Sequence, residues 1–258
     1  MRLLVLLLLV VNTAWAKPAS SRLEPSVLLY NLTDNTVVYA EHTQAVRPMA
    51  SITKVMTAIV SLDLKHNPQG KLAVYKGLGG ILPKKEFTRH EILTAMIVRS
   101  DNAAAETLAR DHPYGREAFM RLMNSKAQQL GMYNTHFDDP SGLSKLNTST
   151  ALDIMVMLRT ALDYETLRNL AVIQRTELTV EGKKKPVKVI VQNTNITLLE
   201  EFSSIIFSKT GLTTPAGWCV ALALEENNKS YALIVLGATT KEHRTKIVER
   251  TVYTELRR

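Results

Sequence analysis

The stretch "RPMASITKVMTAIVSLD", residues 47–63, carries a serine and a lysine three positions apart, Ser51 and Lys54, in an apolar, helix-like run. Positions i and i+3 share a helix face, so the lysine is expected one turn above the serine hydroxyl. Lysine acts as a base only when neutral, which near pH 7 requires its pKa to fall by about 3 units. Burial and a second cation can lower it that far. The pair is therefore either a nucleophile with its base or a helix start with a solvated lysine.

Two later tripeptides can likewise be interpreted either as part of a functional site or as ordinary structural features. Ser-Asp-Asn at 100–102 lies between two predicted helices, where all three residue types also suit a helix N-cap. Lys-Thr-Gly at 209–211 follows the apolar run "SSIIFS". A lysine and a hydroxyl at a strand edge could hold a carboxylate, and Gly211 lacks the side chain that would keep a substrate backbone from lying alongside. The simpler alternative is a strand that ends in a glycine turn.

The order of predicted elements indicates the fold class. Strands are expected at 26–31 and 36–40, then a block of helices from 51 to 173 interrupted by an irregular segment at 71–87. "TRHE" at 88–91 predicts a capping box. Strand patterns return at 178–180, 187–191, 203–208, 218–224 and 231–237, and a helix ends the chain. This order predicts an α/β (α+β) fold, in which both chain ends build one antiparallel sheet flanked by helices and an all-helical lobe is inserted.

Together, S-x-x-K on a helix, S-x-N between helices and K-T-G on a late strand are the motif set of active-site serine penicillin-recognising enzymes. The stretches "VRPMASITKVMTA", "SDNAAAETLA", "LGMYNTHFDDPSGL", "NTN" and "SKTGLTTPAGWC" resemble the low-molecular-mass penicillin-binding proteins. These are serine D-alanyl-D-alanine carboxypeptidases and endopeptidases. The resemblance runs from about Pro25 to the end, and the wording "RPMASITK" and "KTGLTTPAG" favours the endopeptidase branch.

The resemblance implies a β-lactamase/DD-peptidase-like fold and a role for each motif residue. Ser51 is expected to be the nucleophile and Lys54 its general base. Ser100 is expected to relay a proton to the leaving amine, with Asn102 beside it in the cleft. Lys209 is expected to be the second cation that lowers the pKa of Lys54.

The remaining implied residues bind the substrate. Lys209 and Thr210 are expected to hold a free carboxylate, with Gly211 leaving room beside the strand. The backbone N–H groups of Ser51 and Leu212 are expected to form an oxyanion hole, in which each donor is typically worth about 3 kcal/mol. The implied substrates are peptidoglycan peptide stems or cross-links, with β-lactams as covalent inhibitors and no metal or cofactor. The segment 75–87 is expected to form a wall of the cleft. It looks shorter than in typical members, so the substrate range and the penicillin sensitivity are expected to differ from theirs.

The first sixteen residues, "MRLLVLLLLVVNTAWA", predict a secretory signal peptide, with one arginine, a short apolar run and a small-x-small cleavage site. The apolar run is shorter than the roughly 20 residues of a spanning helix. We expect an exported protein, periplasmic or extracellular, with no membrane span after cleavage. Residues 17–258 are expected to form a single DD-peptidase domain, with a sheet lobe at 22–64 and 178–258 and a helical lobe at 65–177.

Composition narrows the partners. The formal charge is +8, which favours acidic partners. For an exported protein, anionic cell-wall polymers or membrane headgroups fit the compartment better than nucleic acid. The basic run "GKKKPVK" at 182–188 is expected to be a solvated loop or hairpin tip rather than a binding patch. The single cysteine, Cys219, excludes an internal disulfide and lies in an apolar run typical of a buried strand.

The sequence also contains features that could indicate three other functions. A class A β-lactamase shares the three motifs, but its E-x-x-L-N motif has only the imperfect candidate "ETLRN" at 165–169. A zinc protease would need H-E-x-x-H, and "HE" at 90–91 has threonine at 94. A non-catalytic wall-binding protein has no need for Ser51 paired with Lys54. The motifs do not separate carboxypeptidase from endopeptidase activity, because both substrates place a free carboxylate just beyond the scissile carbonyl.

Overall fold

The computed structural model describes residues 24–180 and 186–257. In chain order, its strands are β1 (Ser26–Asn31), β2 (Thr36–Glu41), β3 (Arg47–Pro48), β4 (Lys71–Ala73), β5 (Glu86–Thr88), β6 (Thr148–Ser149), β7 (Arg175–Val180), β8 (Val187–Gln192), β9 (Ile205–Thr213), β10 (Gly217–Glu226) and β11 (Lys229–Ala238). The helices are α1 (Lys54–Asp63), α2 (Arg89–Val98), α3 (Asn102–Arg110), α4 (Gly115–Gln129), α5 (Ala151–Leu162), α6 (Glu165–Ala171), α7 (Ile196–Glu201) and α8 (Lys241–Glu255).

A five-stranded antiparallel sheet in the order β2-β1-β11-β10-β9 forms the centre of the molecule. Strand β1 from the start of the chain pairs with β11 near its end, with Ser26 opposite Leu236. The prediction of one antiparallel sheet built from both chain ends is confirmed. Strand β9 carries residues 209–211 and has only β10 as a sheet neighbour in the described chain, so its other edge faces the helices.

Alternating side chains of the sheet enter two different apolar cores. In β10, Ala221 and Ala223 pack with helices α1 to α6, whereas Val220 and Leu222 pack with α8. This follows from the two-residue period of a strand, which sends neighbouring side chains to opposite faces. Helix α1 lies inside the helical layer, where it contacts α2, α3, α4 and α5. The nucleophile candidate at its start is therefore held by both layers.

Local capping explains where several helices begin and end. Thr88 and Glu91 form the predicted capping box at the start of α2, which uses both side chains to satisfy free backbone N–H groups. Gly131 adopts a positive φ of 79° just after α4. This is the left-handed conformation that glycine supplies at a helix C-terminus.

The structure adds elements that the sequence pattern missed. The block of helices predicted to begin at residue 51 starts with a short 3-10 turn, Ala50–Thr53, and becomes α-helical at Lys54. Helix α7 was not predicted, and β9 extends through the tripeptide 209–211 rather than ending before it. Strands β7 and β8 pair with each other, outside the five-stranded sheet. The predicted signal peptide at 1–16 lies outside the described residues, as do residues 182–185 of the basic run 182–188.

Candidate active site

Ser51 lies in the 3-10 turn that leads into α1, and its surroundings fit closely around it. The preceding residue, Ala50, has a φ of +49°, a conformation that costs a non-glycine residue free energy unless neighbouring groups enforce it. Two glycines pack against this turn. A Cβ atom on Gly142 would lie 2.0 Å from the Ala50 carbonyl oxygen, and one on Gly211 would lie 3.1 Å from the Ser51 nitrogen. Only glycine fits at these two contacts without displacing backbone.

Lys54 is fully buried and reaches three acceptors. Its Nζ donates to Ser51 Oγ at 2.9 Å, to Asn102 Oδ1 at 2.7 Å and to the carbonyl oxygen of Ser141. Burial lowers the pKa of Lys54 to about 7, although the negative charges of Asp139 and Asp101 oppose the shift. Lys54 can therefore be neutral near pH 7 while it lies within hydrogen-bond distance of a serine hydroxyl.

The tripeptide 100–102 is both a helix N-cap and part of the candidate active site, the two interpretations that its sequence left open. Asp101 is the N-cap of α3, with Oδ1 accepting from the Ala104 N–H at 2.8 Å. Its other oxygen accepts from the Ile81 N–H and so holds the loop before β5. Ser100, at a φ of +65°, and Asn102 flank this cap and face the two buried lysines. The cap is structural, and it presents its neighbours to the site.

Lys209 is 1% exposed and donates to Ser100 Oγ at 2.8 Å and to the Thr210 carbonyl at 3.0 Å. Burial, together with the charge of Lys54, lowers the pKa of Lys209 well below its ordinary value. Repulsion between two like charges is mutual, so each of these ammonium groups disfavours protonation of the other. The shift of Lys54 comes from its own burial, because the ammonium group enters a medium that solvates charge poorly.

A loop after α4 positions the third acceptor of Lys54. The Asp139 carboxylate accepts from the N–H groups of Ser141, Gly142 and Ser144 and from the Ser141 hydroxyl, all within 2.7 Å. Burial raises the pKa of Asp139, but these hydrogen bonds outweigh it and keep the pKa below its ordinary value. An ionised Asp139 therefore fixes the turn that presents the Ser141 carbonyl to Lys54. The resemblance included this stretch without assigning its aspartate.

A cavity of about 230 Å³ opens beside Ser51. Its lining residues are Ser51, Ser100, Thr194, Thr210, Gly211, Leu212, Trp218 and Arg244. Leu212 is half exposed there. Lys209 is not among the lining residues, because neighbouring side chains of a strand point to opposite faces. Lys209 therefore lies behind Ser100, while Thr210 faces the cavity.

Arg244 lines the cavity although no motif or similar stretch in the sequence pointed to it. It comes from the first turn of α8, is 2% exposed, and donates from Nη2 to Asn195 Oδ1 at 3.1 Å. Its Nε has no hydrogen-bond partner among the described residues. Thr194 Oγ1 and Thr210 Oγ1 lie 2.6 Å apart on the same cavity. Two hydroxyls and a buried guanidinium make this end of the cavity suitable for a carboxylate. The "NTN" stretch at 193–195 was the only sequence signal for it.

The alternative candidates in the sequence do not line the cavity beside Ser51. Glu91 belongs to the capping box of α2, and no group of three or more metal-ligating side chains occurs within residues 24–180 and 186–257. Glu165, the β-lactamase candidate, is exposed and does not line the cavity beside Ser51. Cys219 is buried in β10, and burial raises the pKa of its thiol to about 11. None of the helices in the described ranges is long and apolar enough to cross a bilayer.

The fold and the site together define a penicillin-binding serine peptidase. The DD-transpeptidase of Streptomyces K15 superposes with a TM-score of 0.80 at 25% identity, covering 86% of this chain and 94% of that one. Penicillin-binding protein D2 from Listeria monocytogenes, with bound cefotaxime, superposes with a TM-score of 0.77 at 27% identity, covering 87% and 94%.

Sequence comparison identifies the family. Residues 17–240 match the family model described as D-alanyl-D-alanine carboxypeptidase, peptidase family S11. The D-alanyl-D-alanine endopeptidase of Escherichia coli is 35% identical over 90% of this chain and 77% of that protein. The Haemophilus influenzae endopeptidase is 32% identical over 89% and 81%. The chain belongs to the D-alanyl-D-alanine carboxypeptidase family of serine peptidases, and the predicted fold and enzyme class are confirmed.

Proposed function

We propose that this enzyme hydrolyses D-alanyl-D-alanine-type bonds of peptidoglycan peptides through an acyl-enzyme on Ser51, with cross-links as its main substrate. The observation that carries the proposal is the 2.9 Å contact between Lys54 Nζ and Ser51 Oγ, made by a lysine whose pKa is lowered to about 7. The preference for cross-links is supported by the endopeptidases of Escherichia coli and Haemophilus influenzae, which are 35% and 32% identical to this chain.

Acylation begins with a proton transfer from Ser51 Oγ to Lys54 Nζ, while Oγ attacks the scissile carbonyl carbon. The carbonyl oxygen becomes an oxyanion that accepts hydrogen bonds from the Ser51 and Leu212 N–H groups. Support for this placement is the close approach of Gly211, where a Cβ would lie 3.1 Å from the Ser51 nitrogen. Such preorganised donors stabilise the charge that develops in the transition state.

Collapse of the tetrahedral intermediate breaks the C–N bond and requires a proton on the leaving amine. Ser100, whose Oγ accepts a hydrogen bond from Lys209 at 2.8 Å, donates this proton and takes in its place the proton that Lys54 received from Ser51, so that Lys54 is neutral again. The free carboxylate of the leaving residue binds to Thr210, Thr194 and Arg244, while Lys209 supports this end of the site from behind. Water then attacks the acyl-enzyme and gives a proton to the neutral Lys54. Lys54 returns this proton to Ser51 Oγ as the ester bond breaks, which releases Ser51 and the shortened donor peptide.

The experiment compares the wild type with Ser51→Ala on cross-linked peptidoglycan, with products identified by mass spectrometry of muropeptides. The wild type is expected to convert dimers to monomers, and the variant to leave them intact. Loss of a single D-alanine from monomers would instead indicate a carboxypeptidase. Equal product release by wild type and variant would refute the assignment of Ser51.

Two further expectations belong to the same proposal. β-Lactams are expected to acylate Ser51, which a mass increase of the intact protein would detect, absent in Ser51→Ala. This is supported by the Listeria relative, whose structures contain cefotaxime and ampicillin. The enzyme is expected to be exported to the periplasm after removal of residues 1–16. N-terminal sequencing of the secreted protein should begin at Lys17.

A further inference from the structure

A second and larger cavity, of about 490 Å³, continues from the one beside Ser51. Leu212 and Trp218 line both cavities. The other walls of the second one are formed by residues 46–48, the turn 213–217 between β9 and β10, and residues 237–239 after β11. We call this cavity the end groove, because it lies at the end of β9.

The course of the substrate along β9 follows from the proposed function, on which this inference rests. The leaving residue's carboxylate is assigned to Thr210 and Arg244, on one side of Ser51. The acyl part of the peptide must then continue in the opposite direction along β9, past Leu212 toward Thr213. An extended peptide can pair with an edge strand that has no neighbour on one side. This course brings the donor peptide into the end groove.

The charge of the end groove indicates what it can accept. Arg47 is the one charged residue that lines it, and it is 9% exposed. Its Nη2 donates to the Glu24 carbonyl, its Nε has no partner, and it takes part in none of the ion pairs formed within the described ranges. The Nη1 lies against Gly237, where a Cβ would approach it to 2.8 Å. A buried cation without a carboxylate partner favours an anionic ligand.

Threonine hydroxyl groups add hydrogen-bonding capacity to the end groove beside Arg47. Thr213, Thr214 and Thr239 line the same groove, while Val46 and Leu212 add exposed apolar surface at its rim. We propose that the end groove is a subsite for the donor peptide, which accepts a carboxylate-bearing residue upstream of the penultimate D-alanine. It would make the enzyme prefer acidic stem peptides over short substrates that lack this carboxylate.

The experiment changes the charge of the rim at Thr214, which is exposed. Three variants, Thr214→Glu, Thr214→Lys and Thr214→Gln, are assayed with two substrates. One is a stem pentapeptide with free glutamate and diaminopimelate carboxylates. The other is N,N-diacetyl-L-lysyl-D-alanyl-D-alanine, which carries only its terminal carboxylate. The readout is the ratio of kcat/KM for the stem peptide to kcat/KM for the short peptide.

We expect Thr214→Glu to lower this ratio about fivefold and Thr214→Lys to raise it, as for a partly exposed charge near an ionic ligand. Thr214→Gln adds no charge, so it separates the loss of the hydroxyl from the effect of charge, and higher salt should shrink the shifts of the two charged variants. Val37→Glu, at an exposed position on β2, is the control for a change in net charge. An unchanged ratio in the Glu and Lys variants, or the same shift in Val37→Glu, overturns the end-groove proposal. Turnover of the short substrate that depends on Ser51 would still support the proposed function.

Discussion

The Lys209 Nζ lies 2.8 Å from Ser100 Oγ, and Lys54 Nζ lies 2.9 Å from Ser51 Oγ. The site therefore contains two buried lysine–serine pairs, one from the helix start and one across the cleft. Each amine is surrounded by polar oxygen acceptors, and neither forms an ion pair within the described ranges. Burial without a direct counter-ion is the condition under which an ammonium group loses its proton near neutral pH.

The first prediction concerns the pH dependence of acylation. Lys54 accepts a proton only when neutral, and its pKa is lowered to about 7. The second-order rate of Ser51 acylation by penicillin should therefore rise with pH and level off above about pH 8. Stopped-flow measurement with a fluorescent penicillin from pH 5 to 10 would show this. A flat profile would rule out Lys54 as the base.

The second prediction is that the lowered pKa of Lys54 makes the free energy of unfolding depend on pH. The pKa of Lys54 is lower in the folded protein than in the unfolded chain, so the unfolded chain binds more protons between about pH 7 and pH 10. As the pH rises across this window, the free energy of unfolding should increase by roughly 1 kcal/mol per pH unit. The same contribution is lost when the pH falls back through the window. Urea unfolding of wild type and Lys54→Met should show that the wild type gains more stability with pH. Parallel curves would contradict this.

A third prediction concerns Asp139, which positions the Ser141 carbonyl and whose charge raises the pKa of Lys54. Asp139→Asn removes the charge and weakens the loop, because an amide replaces one acceptor oxygen with a donor. We expect kcat/KM to fall about tenfold, with the rising limb of the pH profile shifted to lower pH. Asp138→Asn, at the exposed neighbouring position, is the matched control. A shift to higher pH would contradict the electrostatic role.

The fourth prediction tests the carboxylate end of the cavity. Arg244→Gln removes a buried guanidinium, so kcat/KM for a substrate with a free C-terminal carboxylate should fall about 10- to 100-fold. The corresponding amide substrate should be much less affected. Arg250→Gln, on the exposed side of the same helix, serves as the control. If Arg244→Gln reduced turnover of acid and amide equally, Arg244 would have only a structural role.

The fifth prediction compares two glycines. A Cβ on Gly211 would lie 2.8 Å from the Met49 carbonyl oxygen, whereas one on Gly79 would meet nothing within 4 Å. Gly211→Ala must push β9 away from the Ser51 turn, so acylation by penicillin should slow by at least about tenfold. Gly79→Ala should acylate at the wild-type rate. Equal rates for the two variants would show that β9 can move without consequence for the site.

The sequence by itself was sufficient for the class of fold and of enzyme. Strand patterns at both chain ends and helix patterns between them predicted the antiparallel sheet and its helical layer, because side-chain periodicity directly reflects which face is buried. The motifs predicted the catalytic roles of Ser51, Lys54 and Ser100, because each motif combines particular residue types only a few positions apart in the chain. Short-range signals also located the capping box at Thr88.

Only the tertiary structure decided which groups meet across long distances in the chain. The sequence could not reveal that Arg244 enters the cavity beside Thr210, because its contact with Asn195 joins segments 49 residues apart. Nor could it show that Lys209 lies behind Ser100 while Thr210 faces the cavity, since this depends on the register of β9 against β10. The pKa of Lys54 likewise depends on complete burial. Desolvation is a property of the packed molecule, and no local spacing encodes it.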